Sequence, residues 1–318
     1  MYHYVAHDPL LRRHFGDSMD SPRLRYRRIL LPALAFLFAG GRDSNIDASF
    51  VASNLLFLFL GAWWLGRYLV WHGRSPMLAI LFVLTPAALT SLDRLTVDLS
   101  LAALCVGVAY YAKLESQGPL YTVLVLACLS RETGVALAIA FCISMLTQRR
   151  YLKAVLYATA MLPAAVWYLF LNSRTPAIVF EGDLIPFYGI FSAMVEPFPY
   201  QFSPVVNAVV TALDDLALAG IVMAGVLALY SLSRNRFGPI EIAASIWAVV
   251  ALCLPQGFYE DCYSGGRVFT PLLIFVAMRA ATNFSPIWVL PLLLLSMRSL
   301  AAMVLASAGH LRGLFSRH

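Results

Sequence analysis

Two apolar arms flank a short charged junction in residues 119–151, and this pattern constrains the fold more than any other part of the sequence. The junction reads SRETG at residues 130–134. Each arm is shorter than the roughly 20 helical residues needed to cross a ~30 Å hydrocarbon core. Charged side chains at bilayer depth are costly and usually face a bundle interior or a watery cavity. We therefore predict a helical hairpin that enters and leaves on one side, with Arg131 and Glu132 at its tip. A structural ion pair that only satisfies the turn is the equally favoured alternative.

The composition of the chain indicates a membrane protein. Of its 318 residues, 60% are hydrophobic and 13% are charged, whereas soluble domains carry about 25% charged residues. This balance predicts an all-α, polytopic transmembrane helical bundle that forms a single integral membrane domain over residues 1–318. The net charge of +6 is accounted for by basic loops facing the cytoplasm, so no nucleic acid is predicted as a partner. The five cysteines show no CxxC spacing, which predicts neither a disulfide framework nor a metal site.

The apolar runs predict about eight membrane spans together with short re-entrant or paired half-helices. Residues 1–45 are interpreted as an outer-face loop followed by an interfacial helix, because the apolar run at 29–39 is too short to span. Residues 46–318 are interpreted as the transmembrane bundle, with an outer loop at 172–205. Arg298 interrupts the last apolar run, which is either one kinked span or a second short hairpin. The span candidates are residues 47–71, 76–92, 97–112, 152–171, 206–232, 240–257, 268–281 and 286–308.

The distribution of lysine and arginine predicts which ends of the spans face the cytoplasm. One set of loops is rich in basic residues, and the positive-inside rule places this set in the cytoplasm. By parity, residues 1–45 then lie outside, although six arginines precede residue 29. A basic tail resists translocation unless an upstream span carries it, so we expect a transmembrane helix ahead of Met1. The basic set contains Arg67, Arg74, Lys113, Arg149, Arg150, Lys153, Arg234 and Arg236.

The predicted outer face collects arginines and carboxylates beside apolar segments. Guanidinium groups bind phosphate bidentately, carboxylates suit general-base work on a hydroxyl, and apolar surroundings suit a lipid tail. This combination predicts an enzyme that acts on a lipid-linked phosphate substrate. The candidate catalytic residues are Asp8, Asp20 and Asp93. The candidate substrate-binding residues are Arg25, Arg27, Arg28, Arg94, Asp98, Arg131, Glu132 and Arg267.

Four segments carry a resemblance to bacterial integral membrane glycosyltransferases of the GT-C type. They are YRRILLP at residues 26–32, LSRETG at 129–134, the stretch 93–98, and Gly266-Arg267-Val268 followed by Pro271. The resemblance implies a polyprenyl-phosphate-linked sugar as donor and transfer at the outer face of the bacterial cytoplasmic (inner) membrane. In that family the catalytic Asp lies near the end of the first helix, in a YDGQ.YY-like string. Residues 1–4, MYHY, resemble the end of this string, which implies that the matching Asp lies upstream.

Other interpretations of the same residues remain open. Asp8 and Asp20 stand close before prolines and could simply start turns, and the arginines at residues 25–28 could extend to lipid headgroups. Asp98 could serve only as a first-turn acid of its helix. No metal site or other cofactor is predicted, although a divalent cation at Glu260-Asp261 stays possible. The competing functions are a transporter or flippase of a lipid-linked or anionic substrate, and a non-catalytic membrane subunit.

Overall fold

The computed structural model describes residues 2–13, 19–177, 185–196, 198–200, 202–234, 237–260, 262–283 and 285–315. Within these ranges the regular structure is entirely helical, so the predicted all-α class is confirmed. The helices are α1 (Tyr2–His7), α2 (Pro22–Arg27), α3 (Leu30–Phe38), α4 (Ile46–Trp71), α5 (Pro86–Arg94), α6 (Asp98–Lys113), α7 (Gln117–Ser130), α8 (Val135–Thr147), α9 (Tyr151–Thr159), α10 (Leu162–Asn172), α11 (Tyr188–Val195), α12 (Pro204–Arg234), α13 (Pro239–Leu252), α14 (Gly257–Glu260), α15 (Cys262–Met278), α16 (Ala280–Asn283) and α17 (Leu290–Phe315).

Among the residues that the structure describes, three helical segments are long and apolar enough to cross a membrane, where the sequence predicted about eight. They are Asp43–Trp71, Tyr151–Asn172 and Pro204–Arg234, and they indicate a membrane protein. A fourth crossing is present if the bent pair Pro76–Phe82 and Pro86–Arg94 counts as one span. Several shorter apolar helices, among them α7 and α13, complete the bundle.

The bend within residues 76–94 has a local cause in the sequence. Pro86 occupies the first turn of α5, where its missing N–H is tolerated and a new helix can start. The Thr85 side chain accepts a hydrogen bond from the backbone N–H of Ala88 and so caps that helix. The 3₁₀ segment Pro76–Phe82 therefore ends before α5, and the two axes differ by 56°. The predicted run 76–92 is thus a broken element.

Helix α6 lies at the centre of the bundle. Every residue from Asp98 to Tyr110 is buried, and α6 packs against α4, α5, α7 and α15. On α4, the Trp64 ring lies over Gly107, where a Cβ atom would stand 2.9 Å from the ring. Because α6 is buried on all sides, its first residue, Asp98, lies in the interior of the protein.

Two short apolar helices meet at the SRETG junction, as the hairpin prediction requires. Helix α7 ends at Ser130, Arg131 is extended, and α8 begins at Val135 after the 3₁₀ turn Glu132–Gly134. A Cβ atom on Gly134 would overlap the carbonyl oxygen of Ala127 on α7, so only glycine allows this close approach. The turn places Arg131 and Glu132 beside the start of α6, which positions the site described next.

Candidate functional site

Asp98 is the centre of a buried group of charged side chains. Its Oδ1 is the ion-pair partner of Arg131 Nη1, and its Oδ2 lies 3.6 Å from Nη1 of Arg267 on α15. The exposed fraction of Asp98 is 2% and that of Arg131 is 5%, which leaves neither charge in contact with bulk water. Three elements distant in sequence, the start of α6, the hairpin turn and α15, therefore meet at one carboxylate.

Glu132 adds a second carboxylate to this group. Arg28, which follows α2, forms a bidentate pair with it, with Nε to Oε2 at 2.9 Å and Nη2 to Oε1 at 2.5 Å. The Nε of Arg131 lies 3.5 Å from Glu132 Oε1 and links the two carboxylates. We call Arg28, Asp98, Arg131, Glu132 and Arg267 the arginine cluster.

The arginine cluster carries three positive and two negative charges, and it has donors without a hydrogen-bond partner. The Nε atoms of Arg131 and Arg267 are buried and donate no hydrogen bond within the described part of the chain. Arg27 stands next to the cluster with its guanidinium 5.1 Å from the centre of the Tyr168 ring, and its buried Nε likewise has no partner. A buried positive excess with unpaired N–H donors is suited to an oxyanion.

Tyr2 closes the arginine cluster on the side of the N-terminal helix. Its hydroxyl accepts hydrogen bonds from Arg28 Nη1 at 2.5 Å and from Arg25 Nη1 at 3.1 Å. Arg25 also holds Asp20 through two bonds, of 3.1 Å from Nε and 2.7 Å from Nη2. These hydrogen bonds from Arg25 hold the pKa of the Asp20 carboxyl below its ordinary value. Sequence reasoning placed residues 1–4 near the site only by resemblance, and it gave Tyr2 no role.

The remaining sequence-predicted candidates lie outside the cluster. Asp8 is buried, and its two oxygens accept the backbone N–H groups of Arg12 at 2.8 Å and Arg13 at 2.6 Å, which fixes the turn after α1. Asp93 and Arg94 are exposed at the end of α5, where Arg94 Nε donates to Asp93 Oδ2 at 2.9 Å. The structure therefore brings together Arg28, Asp98, Arg131, Glu132 and Arg267, with Arg25 and Arg27 adjoining.

Metal-ligating residues do not converge in the described part of the chain. No group of three or more His, Cys, Asp or Glu side chains there could hold a metal ion. His7 lies 3.0 Å from Asp43 and is part of an exposed ion-pair network with Arg13. The acidic pair at residues 260–261, the alternative place for a divalent cation, lies outside the described side chains.

The sequence analysis did not predict a second group of interacting charged side chains. Asp214 on α12 pairs with Arg298 on α17. Tyr200, in the segment predicted as an outer loop, donates to Asp214 at 2.9 Å and accepts from Arg298 Nη2 at 2.6 Å. The available signal was a charge in each of two apolar runs, DD at residues 214–215 and Arg298. Nothing in the sequence paired positions that lie 84 residues apart.

The arginine cluster can bind an anion more readily than it can move a proton. Asp98 and Glu132 are both held by guanidinium groups, which stabilise their charged forms and oppose general-base work. Asp93, exposed and bonded by its neighbour, is the more accessible carboxylate. No protein-family model matches the chain, and neither a curated protein nor a solved structure matches it. The function is therefore argued from the geometry of the site.

Proposed function

We propose that the protein is a membrane glycosyltransferase of the GT-C type, which moves a sugar from a polyprenyl-phosphate donor to an acceptor at the outer face of the membrane. The observation that carries the proposal is the arginine cluster, a net positive group in an apolar bundle, in which Arg28, Asp98 and Arg131 are buried and Glu132 and Arg267 are half-buried. A phosphate attached to an isoprenoid chain matches both properties, since the anion pairs with guanidinium and the chain with apolar surroundings.

The phosphate is bound between Arg27 and the arginine cluster in this proposal. Arg27 contributes a charge that no described carboxylate neutralises, and its planar fork suits two phosphate oxygens. Arg267 contributes a buried Nε–H that makes no hydrogen bond, and Arg131 contributes an Nε–H whose nearest carboxylate oxygen, Glu132 Oε1, lies 3.5 Å away. Asp98 and Glu132 keep the guanidiniums in place, which pre-organises the donors before the ligand arrives.

Asp93 acts as the general base in this proposal. It lies in the last turn of α5, ahead of the turn that leads into α6 and five residues before Asp98 in the sequence. Ser91 Oγ ties this turn, at 2.9 Å from Thr96 Oγ1 and 3.1 Å from the N–H of Leu99. The acceptor oxygen attacks the anomeric carbon, the bond from that carbon to the phosphate oxygen breaks, and the acceptor proton moves to Asp93. Polyprenyl phosphate leaves with the negative charge, which the arginines stabilise.

A transporter or flippase of an anionic lipid is the second candidate. The observation that favours it is the break between Pro76–Phe82 and α5, because interrupted helices line many transport sites. The break packs on α15, where Thr270 Oγ1 accepts the N–H of Ala87 at 3.0 Å. A transporter would move a lipid-linked substrate without cleaving it.

The test is a donor-cleavage assay on the chain in proteoliposomes. A panel of polyprenyl-phosphate hexoses and pentoses is supplied, and release of polyprenyl phosphate is followed by mass spectrometry. General-base removal typically costs on the order of 10²–10⁴ in rate, so Asp93→Asn should abolish most of the release. Asp47→Asn, at the exposed start of α4, is the matched control and should leave release unchanged. Movement of intact donor across the bilayer without release would contradict the proposal and support transport.

A further inference from the structure

An apolar cavity of about 130 Å³ lies between α4, α6, α15 and the start of α17. Its walls come from aliphatic and aromatic side chains, with one charged residue at the edge. The residues that line it are Leu65, Leu69, Arg74, Leu78, Leu81, Phe82, Thr85, Val106, Ile274, Ala277, Met278, Ala280, Ala281, Val289 and Leu292. An apolar cavity of roughly 150 Å³ stays dry and binds a benzene-sized guest, so this one has room for about six carbons.

The cavity lies beside a surface that suits contact with lipid chains. Leu78, one of its lining residues, is 46% exposed, and its neighbours Met77 and Ile80 on the same 3₁₀ segment are 79% and 62% exposed. A row of exposed apolar side chains in a membrane protein is stable where hydrocarbon covers it. Leu78 therefore joins the cavity to a surface that suits the bilayer interior, where acyl chains are the abundant apolar guests.

Arg74 gives the cavity a charged edge. It is the only ionisable residue among the described residues that line the space. Its guanidinium donates to the carbonyl oxygens of Ala280 and Ala281, both at 3.4 Å, and these bonds hold it beside the apolar walls. One cation at the rim of an apolar cavity matches a molecule with a negatively charged head and a hydrocarbon chain. Arg74 also belongs to the basic set of loops that the sequence places on the cytoplasmic side.

The cavity is separate from the arginine cluster. Along α6, Val106 lies eight residues after Asp98, about 12 Å at 1.5 Å per residue. Between the level of the arginine cluster and the level of the cavity, α5 packs directly on α15. A Cβ atom on Gly266 of α15 would stand 2.8 Å from the Cβ atom of Pro86 on α5. A lipid held at Arg74 is therefore a different molecule from a substrate held at the cluster.

We infer that this cavity binds a stretch of about six carbons from one acyl chain of an anionic phospholipid, whose phosphate contacts Arg74. The lipid acts as a structural ligand that fills the space between α4 and α15 and restores the dispersion contacts that an empty cavity lacks. The inference does not depend on the proposed transferase activity, because the binding site shares no residue with the arginine cluster.

Lipid binding by the purified chain tests the inference directly. Native mass spectrometry in detergent compares phosphatidylglycerol with phosphatidylcholine of identical acyl chains. We expect the wild type to retain phosphatidylglycerol at least five-fold better, and Arg74→Gln to remove that preference. Arg67→Gln changes an exposed arginine on α4, seven residues before Arg74, and should keep the preference for phosphatidylglycerol. Equal preference in Arg74→Gln and Arg67→Gln would overturn the contact with Arg74.

A second variant tests the cavity itself. Ala277→Leu places additional carbons in the space and should lower binding of both phospholipids while leaving polyprenyl-phosphate binding unchanged. A loss of polyprenyl-phosphate binding instead would show that the cavity holds the substrate chain, and it would overturn the inference.

Photolabelling of the unaltered protein covers the case in which a variant fails to fold. Phosphatidylglycerol with a diazirine on its acyl chain is irradiated with the wild type, and the labelled peptides are sequenced. Labels on Leu78, Met278 or Leu292 are expected. Labelling confined to outward-facing residues such as Met77 and Ile80 would contradict an acyl chain in the cavity.

Discussion

Arg131, at the tip of the α7–α8 hairpin, pairs with Asp98, the first residue of α6, and both side chains are buried. The pair joins an element of the hairpin to the central helix across 33 residues of sequence. Arg267 approaches the same carboxylate from α15. This contact therefore has the structural role that the sequence left open, since it ties three elements together. The proposed function adds the second role, as part of the phosphate site.

Removing the Arg131 side chain should destabilise the protein strongly. Arg131→Leu leaves buried Asp98 with Arg267 at 3.6 Å as its remaining cation, and breaking a buried pair costs about 3–5 kcal/mol. Thermal unfolding in detergent measures the loss. The control is Arg94→Leu, which breaks an exposed pair with Asp93 and should cost about 0–1 kcal/mol. Equal melting temperatures for the two variants would show that the Asp98 contact is not structural.

Arg131→Lys separates structure from phosphate binding. Lysine keeps the positive charge beside Asp98 but lacks the planar fork and the Nε–H donor. We expect the variant to melt close to the wild type and to bind polyprenyl phosphate several-fold more weakly. Binding equal to the wild type would remove Arg131 from the phosphate site and leave only its structural role.

Gly134 should be essential to the hairpin turn. Gly134→Ala places a Cβ atom against the carbonyl oxygen of Ala127, so α7 and α8 must separate. Overpacking of this kind costs about 1–3 kcal/mol, and the melting temperature should fall. Gly118→Ala is the matched control at the start of α7, where nothing lies within 4 Å of the added atom. A fall of the same size in both variants would contradict the close approach.

Tyr200 should hold the outer loop against the bundle. Its hydroxyl bonds Asp214 and Arg298, and Tyr200→Phe removes both bonds while keeping the ring. We expect limited proteolysis to cut residues 196–203 several-fold faster in this variant. Tyr188→Phe, on an exposed tyrosine of α11, should leave the cleavage rate unchanged. An unchanged rate in Tyr200→Phe would mean that other contacts hold the loop.

The hairpin was predictable because its signal is local. The SRETG junction, two short apolar arms and a glycine next to the charges lie within residues 119–151. The all-helical class followed in the same way from composition and the lengths of apolar runs. The break before Pro86 depends on a capping threonine and a proline, which a hydropathy argument treats as part of one span.

The partners of the charged residues were not predictable from the sequence. Arg28 and Glu132 lie 104 residues apart, and Asp214 and Arg298 lie 84 apart. Helix packing decides which arginine pairs with which carboxylate. No local sequence pattern indicates these pairings. The turn at Asp8, in contrast, was predictable because its signal is local. Its place before Pro9 favoured a turn, and its oxygens accept two backbone N–H groups of that turn.

The sidedness of the bundle can be measured by labelling single cysteines with an impermeant maleimide in intact cells. In a background without the native cysteines, we expect positions 74, 113, 149 and 234 to be protected and position 93 to react. The predicted hairpin places residues 113 and 149 on the same side of the membrane. Reaction of 113 and 149 from opposite sides would contradict the predicted topology.

The most direct test of the account compares binding of polyprenyl phosphate with that of the uncharged polyprenol. The arginine cluster predicts that the phosphate binds at least ten-fold more tightly, and that Arg27→Gln removes most of this difference. Arg174→Gln, on an exposed arginine outside the cluster, should bind like the wild type, and Arg27→Lys should recover part of the affinity. Equal affinities for phosphate and alcohol, or equal binding by Arg27→Gln and Arg174→Gln, would contradict a phosphate site in this bundle.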